Sequence, residues 1–322
     1  MFRILVAGDF HGSTLVFRKL INAGIIYKTN AIIITGDLIG KVLVLIVKRQ
    51  DNTYEAEFIN TKFIAKNENE LEKIKSTIEN RGYYYTIVDN YEYATLSNSK
   101  DRLYEIMSNQ AAERLQRWLE HAINIIKKNN IKLYIMGGND DWQEVVKKII
   151  EDYEDRDTII NIHDKEFALD NGMQGFGLPY SNKTPWNLPG DLTEDELNRK
   201  IEEHTRNLKN IQDSLFVIHV PPKDTPIDEA PLLNKDLKIR TDIAGIQTTH
   251  VGSTAVREAI LKYQPIFTLH GHIHESRGVT KLGRTYCFNA GSEYEQGILR
   301  AVIINMEDDK SKKIKSYLFF SG

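Results

Sequence analysis

Five short polar blocks, each bordering an apolar segment with the character of a β-strand, constrain this chain more than anything else in it. They are Gly8-Asp9-Phe10-His11-Gly12, Gly36-Asp37, Gly138-Asn139-Asp140-Asp141, His219 at the head of His-Val-Pro-Pro, and Gly271-His272-Ile273-His274. In open α/β sheets, ligand sites form beyond the carboxyl ends of strands, where loops converge on rigid supports. Asp9, Asp37, Asn139, His219 and His272 all hold that position relative to their strand-like runs. The expectation is an α/β fold that gathers them at one edge, with the neighbouring glycines letting the backbone turn sharply beside them.

The runs themselves support this. Phe2–Ala7 and Ala31–Thr35 are continuously apolar, as strands covered on both faces are. Helical patterns span Ser13 to Tyr27, Asn109 to Asn129, Trp142–Ile150 and Ser253–Tyr263, and another spans Thr193 to Ile211, opened by a Thr193…Glu196 capping box. Further strands are expected at Lys132–Met136, Thr158–Ile162, Glu166–Leu169, Met173–Leu178, Ser214–Ile218, Pro265–Leu269, Arg284–Phe288, Gly297–Asn305 and Lys313–Phe319. Residues 41–108 break the rhythm. Val42–Arg49 and Ala56–Ala65 read as paired strands around Asp51-Asn52, Asn67–Asn80 as a helix and Gly82–Val88 as an alternating strand through Tyr83–Tyr85. We read a β-β-α-β insertion, decoration or a cap over the site, within one domain spanning residues 1–322.

Composition narrows the class. The 322 residues are 41% hydrophobic and 27% charged, ordinary for a soluble globular protein large enough to bury a sizeable core. Net charge is −3, so no basic field gathers nucleic acid nonspecifically. No apolar stretch approaches the roughly 18–20 residues that span a bilayer, and no signal-peptide pattern precedes the first strand. The single cysteine, Cys287, cannot form an internal bridge and sits in a strand-like run. It reads as a buried small hydrophobe in a cytoplasmic protein.

Within the blocks, Asp9, Asp37, Asn139, His11, His219, His272 and His274 supply two carboxylates, an amide and four imidazoles, about what two adjacent divalent cations require. A carboxylate between the strand-end blocks can bridge cations roughly 3.5–4 Å apart. Imidazole, amide and carboxylate donors suit Mn, Fe, Zn, Co or Ni rather than calcium; Mn is favoured.

The order Asp-x-His…Gly-Asp…Gly-Asn-x-Asp…His…Gly-His-x-His resembles that of the calcineurin-like metallophosphoesterase superfamily. The resemblance spans residues 8 to 274 and lies closest to small bacterial and archaeal phosphodiesterase-like members. It implies a four-layer α/β/β/α sandwich with a dinuclear centre at one edge. Asp9, His11, Asp37 and His274 would hold the first metal, and Asp37, Asn139, His219 and His272 the second. It also implies a metal-dependent phosphoric ester hydrolase in which a metal-bridging hydroxide attacks phosphorus while Asn139 helps to stabilise the equatorial oxygens. The chain departs from the family pattern at two positions: Gly40 stands where purple acid phosphatases have a tyrosine, and Asp140 where many members have a histidine. A second anion there disfavours dianionic monoesters, so phosphodiesters or nucleotides are the expected small-molecule substrates. A nuclease resembling the Mre11-type members and a non-catalytic metal-binding scaffold are the alternatives. The sequence leaves oligomeric state open.

Other residues carry two readings. Asp140 positions water or the leaving group, or it orients a ligand histidine from behind. His250 donates a proton to the leaving oxygen or is a surface histidine. His270 reads as a buried structural residue, and His121, His163 and His204 lack ligand spacing. The Pro185-Trp186-Asn187 loop stacks a nucleobase or packs as a connector. Lys310–Lys313 reads as a solvated turn.

Overall fold

A computed structural model describes residues 1–155, 157–243, 245–307 and 312–322; Lys310 and Ser311 of the charge run lie outside the described residues. Seven α-helices and several sheets make a mixed α/β architecture among the described residues. One six-stranded sheet runs in the order Ile314–Ser321, Arg300–Met306, Phe2–Ala7, Ala31–Ile34, Lys132–Ile135, Ile159–Asn161. Its strands from Phe2–Ala7 onward are parallel, with Ala7 opposite Ile34, and its other edge is antiparallel. A second six-stranded sheet runs Gly278–Leu282, Thr285–Asn289, Phe267–His270, Leu215–Ile218, Gln174–Leu178, Lys165–Ala168.

The alternation of strand side chains distributes the apolar runs between three cores. Ile4, Val6, Ile33 and Tyr134 of the first sheet meet Leu215, Val217, Phe267 and Phe288 of the second. Leu5, Ala7, Ile32 and Ile34 point the other way, onto Phe17 and Leu20 of helix Thr14–Ile26 and Leu115, Trp118 and Leu119 of helix Lys100–Ile126. Phe176, Phe216 and Ile218 pack on Leu197 and Ile201 of helix Glu194–Asn207 and on Val256 and Ile260 of helix Thr254–Tyr263. Each fully buried Leu, Ile or Phe contributes about 1.5–3 kcal/mol, so a single charged residue at Val217 would disrupt the inter-sheet layer. Cys287 is 0% exposed, and burial pushes its thiol up to about 11.

Several boundaries differ from expectation, each for a physical reason. The helix expected from Asn109 begins at Lys100: its first turns are largely exposed, and their short apolar stripe of Leu103, Ile106 and Met107 is only partly buried, Leu103 and Ile106 packing on Val47, Val88 and Leu96 of the preceding segment. The helix expected to run to Ile211 ends at Asn207, although its Thr193–Glu196 capping box forms. Ala56–Ala65 is two strands, Tyr54–Phe58 and Thr61–Ala65, turned at Ile59-Asn60 with φ of 50° and 56°. A two-residue hairpin turn needs that left-handed pair, and an isoleucine in place of the usual Asn or Gly concealed it. Strand Gly278–Leu282 was not anticipated either.

The insertion therefore reads β-β-β-α-β followed by a short helix, Asn90–Leu96, that was not anticipated: a four-stranded sheet carries helix Glu68–Asn80 over its own core of Val44, Ile46, Phe58, Leu71 and Ile78, and Leu96 packs on Val47 and Val88. It is fastened to the first two polar blocks. Arg114, 2% exposed, donates to Gly12 O at 2.9 Å and Tyr83 O at 2.7 Å and stacks 4.2 Å from the Tyr84 ring. Gly40 N donates to the Tyr84 hydroxyl, and Ser13 Oγ to Asn80 O. Among the described residues no helix is long and apolar enough to cross a membrane.

Candidate metal centre

Backbone hydrogen bonds lace the blocks together beyond the strand ends. Asp9 N donates to Gly36 O, Phe10 N and His11 N both donate to Asp37 O, and Gly271 N donates to His219 O. His272 N donates to Asp9 Oδ1 at 2.9 Å and Asp140 N to Asp37 Oδ1 at 3.0 Å. Asp9, His11, Asp37 and His272 all adopt left-handed backbone, with φ of 57°, 41°, 50° and 67°. Such non-glycine residues store about 1–3 kcal/mol each and cluster where a surrounding framework holds a functional geometry. Two glycines are required for close approach. A Cβ on Gly138 would lie 2.2 Å from Asp37 Oδ1, and one on Gly271 would lie 2.6 Å from Asp9 Oδ2.

Two groups of donor atoms result. Asp9, His11 and His274 each offer an atom within 4.8 Å of the others, and so do Asp37, His219 and His272. Asp37 Oδ2 stands between the groups, 3.6 Å from His11 Nε2 and 3.3 Å from His219 Nε2. His11 Nε2 and His274 Nε2 approach to 3.1 Å. Two imidazoles binding one tetrahedral cation at about 2.0–2.1 Å bring their nitrogens to about 3.4 Å.

The donor atoms are also oriented. His219 Nδ1 lies 2.7 Å from Thr35 O. Only a protonated Nδ1 can donate to a carbonyl, which presents Nε2 as the ligand atom. That Nε2 is buried without a hydrogen-bond partner, and so is Asn139 Oδ1. Asn139 Nδ2 donates to Asp191 Oδ1 at 2.8 Å, which aims Oδ1 away from Asp191. Buried polar atoms are rarely left unpaired, so these two mark places for a ligand. They fit cations.

The electrostatics agree. Burial opposes charge on His11 and His219. The hydrogen bond that His11 donates to Asp140 and the Asp37 charge outweigh it at His11, as the Asp37 charge does at His219, and both histidines are pushed up to about 9. Burial drives His272 down to about 3, with help from His219, and lowers His274. Asp37, despite its burial, is held below the usual carboxylate range by His219. A centre that draws protons onto two of its histidines has a negative field that metal cations satisfy equally well.

Several further residues support the donors. Asp141 accepts from Leu38 N, Ile39 N and Gly138 N, tying the second block to the third; burial and the Asp37 charge push it up to about 7. Asp191 accepts from Asn139, Thr184 and Leu188. His163, which lacks ligand spacing, instead accepts from Gly137 N with Nδ1. Ser181 Oγ lies 3.1 Å from His272 Nε2, Ser292 Oγ donates to Asp9 O, and the Tyr294 ring sits 4.8 Å from that of His11. Asp140 faces His11 Nδ1 at 3.5 Å and is paired with Lys41. Of these, only Asp140 and Asp141, both within the third block, were visible before folding.

The remaining candidates lie elsewhere. His250 belongs to neither donor group; it sits in strand Thr248–His250 with Nδ1 2.8 Å from Asp228 Oδ1, its side chain 41% exposed. Its segment adjoins the centre indirectly, through Asn182 Nδ2 donating to Val251 O beside Ser181. His270 is buried, its Nδ1 on Ile218 O and Val220 O and its Nε2 on Thr268 Oγ1. Trp186 is exposed at the tip of the loop that Asp191 anchors. A cavity of about 440 Å³ opens beside His274, lined by Arg277, Ser292, Glu293, Tyr294 and Arg300 among others.

No family model matches the chain. A curated relative, the uncharacterized protein MJ1162 of Methanocaldococcus jannaschii, is 34% identical over 154 residues, a match that takes in 47% of this chain and only 60% of the relative's length. A solved crystal structure superposes with a TM-score of 0.52 at 15% identity over 94% of both chains, which shows a shared fold. Protein TT1561 of Thermus thermophilus gives 0.49 at 10% identity, covering 100% of this chain and 98% of that one. A novel archaeal phosphodiesterase gives 0.38 at 12% identity over 99% of both.

Proposed function

We propose that the chain is a metal-dependent hydrolase of phosphoester bonds, in a four-layer α/β/β/α sandwich of the calcineurin-like metallophosphoesterase kind. One observation carries the reading. Two groups of buried and half-buried donor residues meet at Asp37, with His219 Nε2 and Asn139 Oδ1 left without hydrogen bonds. The first cation would be held by Asp9, His11, Asp37 and His274, the second by Asp37, Asn139, His219 and His272, with manganese favoured. The chemistry such cations supply when bound is a water nucleophile near neutral pH and polarisation of a phosphoryl oxygen.

The chain's own residues prepare that chemistry. Asp37 holds the two donor groups together, and Thr35 and Asp191 fix the faces that His219 and Asn139 present. Preorganised donors of this kind need no rearrangement as charge develops. The cavity beside His274 is lined by arginine, glutamate and tyrosine, a surface suited to the polar organic group of a small phosphodiester or nucleotide.

The test is hydrolysis of bis-p-nitrophenyl phosphate, p-nitrophenyl phosphate and single-stranded DNA, each with Mn²⁺ and with chelator. Turnover of an ester by the wild type, abolished by chelator and by His219→Ala, is the expected result. Turnover that survives chelation, or none on any substrate, would reject it, and exclusive action on the DNA would favour a nuclease.

A further inference from the structure

From sequence, Asp140 stands against a dianionic phosphomonoester, because an added anion beside a dianionic phosphoryl group raises the electrostatic barrier. The fold supplies a counter-charge. Lys41, which opens the insertion four residues after Asp37, places its ammonium on Asp140 Oδ1. The other oxygen of Asp140 faces His11 Nδ1 at 3.5 Å, while its backbone N–H is held by Asp37 Oδ1 at 3.0 Å. The pair is thus fixed against a donor residue of each group. The two side chains remain 27% and 20% exposed, so the pair is reachable from solvent rather than sealed in the core.

Resting on the phosphoester reading above, we propose that Lys41 is a specificity-determining residue. By offsetting the Asp140 charge, it admits dianionic phosphomonoesters as well as monoanionic phosphodiesters. With Lys41 removed, the uncompensated carboxylate repels a dianion by one charge more than a monoanion. Across roughly 7 Å at an effective dielectric near 20, that extra charge is worth roughly 50-fold, which exposure and salt reduce to roughly 10-fold.

The experiment compares Mn²⁺-loaded wild type, Lys41→Met, Lys41→Arg and the double variant Lys41→Met with Asp140→Asn. The readouts are kcat/KM on p-nitrophenyl phosphate and on bis-p-nitrophenyl phosphate, and the calorimetric affinity for inorganic phosphate at pH 8. Mn²⁺ affinity is measured alongside, and circular dichroism checks folding. In Lys41→Met the monoester is expected to lose roughly 10-fold more kcat/KM than the diester, with inorganic phosphate weakened by a similar factor. Lys41→Arg should keep the wild-type ratio and the double variant should return to it. An unchanged ratio in folded Lys41→Met, or a double variant as impaired as the single one, overturns the proposal. Inorganic phosphate binding requires no turnover. An inactive wild type would therefore sink the phosphoester reading, while unchanged phosphate affinity in Lys41→Met would sink the role of Lys41.

Discussion

Replacing Gly138 by alanine tests how closely the backbone is packed on the carboxylate at the heart of the centre. The added Cβ would lie 2.2 Å from Asp37 Oδ1, 2.4 Å from Asp37 N and 2.8 Å from Asp37 Cγ. Ordinary contacts begin at about 3.5 Å, so one side must move by about 1 Å. Asp37 has little room to yield. Its φ is 50°, its carbonyl accepts from Phe10 N and His11 N, and its Oδ1 holds Asp140 N. Overpacking of this kind costs about 1–3 kcal/mol of folding stability. A displaced ligand carboxylate weakens metal binding about 10–100-fold, or about 1.4–2.7 kcal/mol. Urea unfolding of the metal-stripped protein reads the first quantity and titration calorimetry with Mn²⁺ reads the second. Gly278→Ala is the control, since its Cβ would meet nothing nearer than Ile227 Cγ2 at 3.5 Å. Wild-type stability and wild-type Mn²⁺ affinity in Gly138→Ala would refute the claim that Asp37 is both immobile and a ligand.

Two further outcomes follow from contacts away from the donor atoms. Arg114→Met removes two charge-assisted hydrogen bonds and leaves the carbonyls of Gly12 and Tyr83 without that donor, so urea unfolding should show a loss of about 3–5 kcal/mol. Stability should also respond to pH through the cluster of Asp164, Lys200, His204 and Glu166. Burial lowers His204, yet its hydrogen bonds to Asp164 and Glu166 leave it raised, so its contribution is complete below about pH 6.5 and fades as pH rises through the folded value. Burial raises Asp164, yet His204 and Lys200 hold it well below the usual range, so its contribution is present above about pH 4 and is lost on acidification. The difference in stability between wild type and His204→Gln, followed by thermal melting, should therefore be widest between about pH 4 and 6.5 and narrow toward alkaline pH; a difference that widens toward alkaline pH would contradict this assignment.

Much of the architecture is legible in the sequence because strands buried on both faces leave unbroken apolar runs. Phe2–Ala7, Ala31–Ile34 and Leu215–Ile218 are of this kind, and their ends locate Asp9, Asp37 and His219. The hairpin at Ile59-Asn60 escaped because no glycine marks its turn, and strand Gly278–Leu282, although bounded by Gly278 and Gly283, because its Val-Thr-Lys-Leu run lacks strict alternation. In the centre, the donor residues were readable from position alone, since each borders a strand end. Their supports were not. Lys41 reaches Asp140, Asp191 reaches Asn139 and Tyr294 reaches His11 only once the chain has folded, across 52 residues or more. For the same reason Asp140 looks unopposed in the sequence: its counter-charge lies 99 residues away.

The central claim is tested most directly by anomalous scattering at the manganese edge from crystals of the metal-loaded protein. Two peaks per chain are expected, roughly 3.5–4 Å apart, both bonded to Asp37, one also to His11 and His274 and the other to Asn139, His219 and His272. A lone peak that Asp37 does not touch, or no peak beside His219 and His272, would contradict the account.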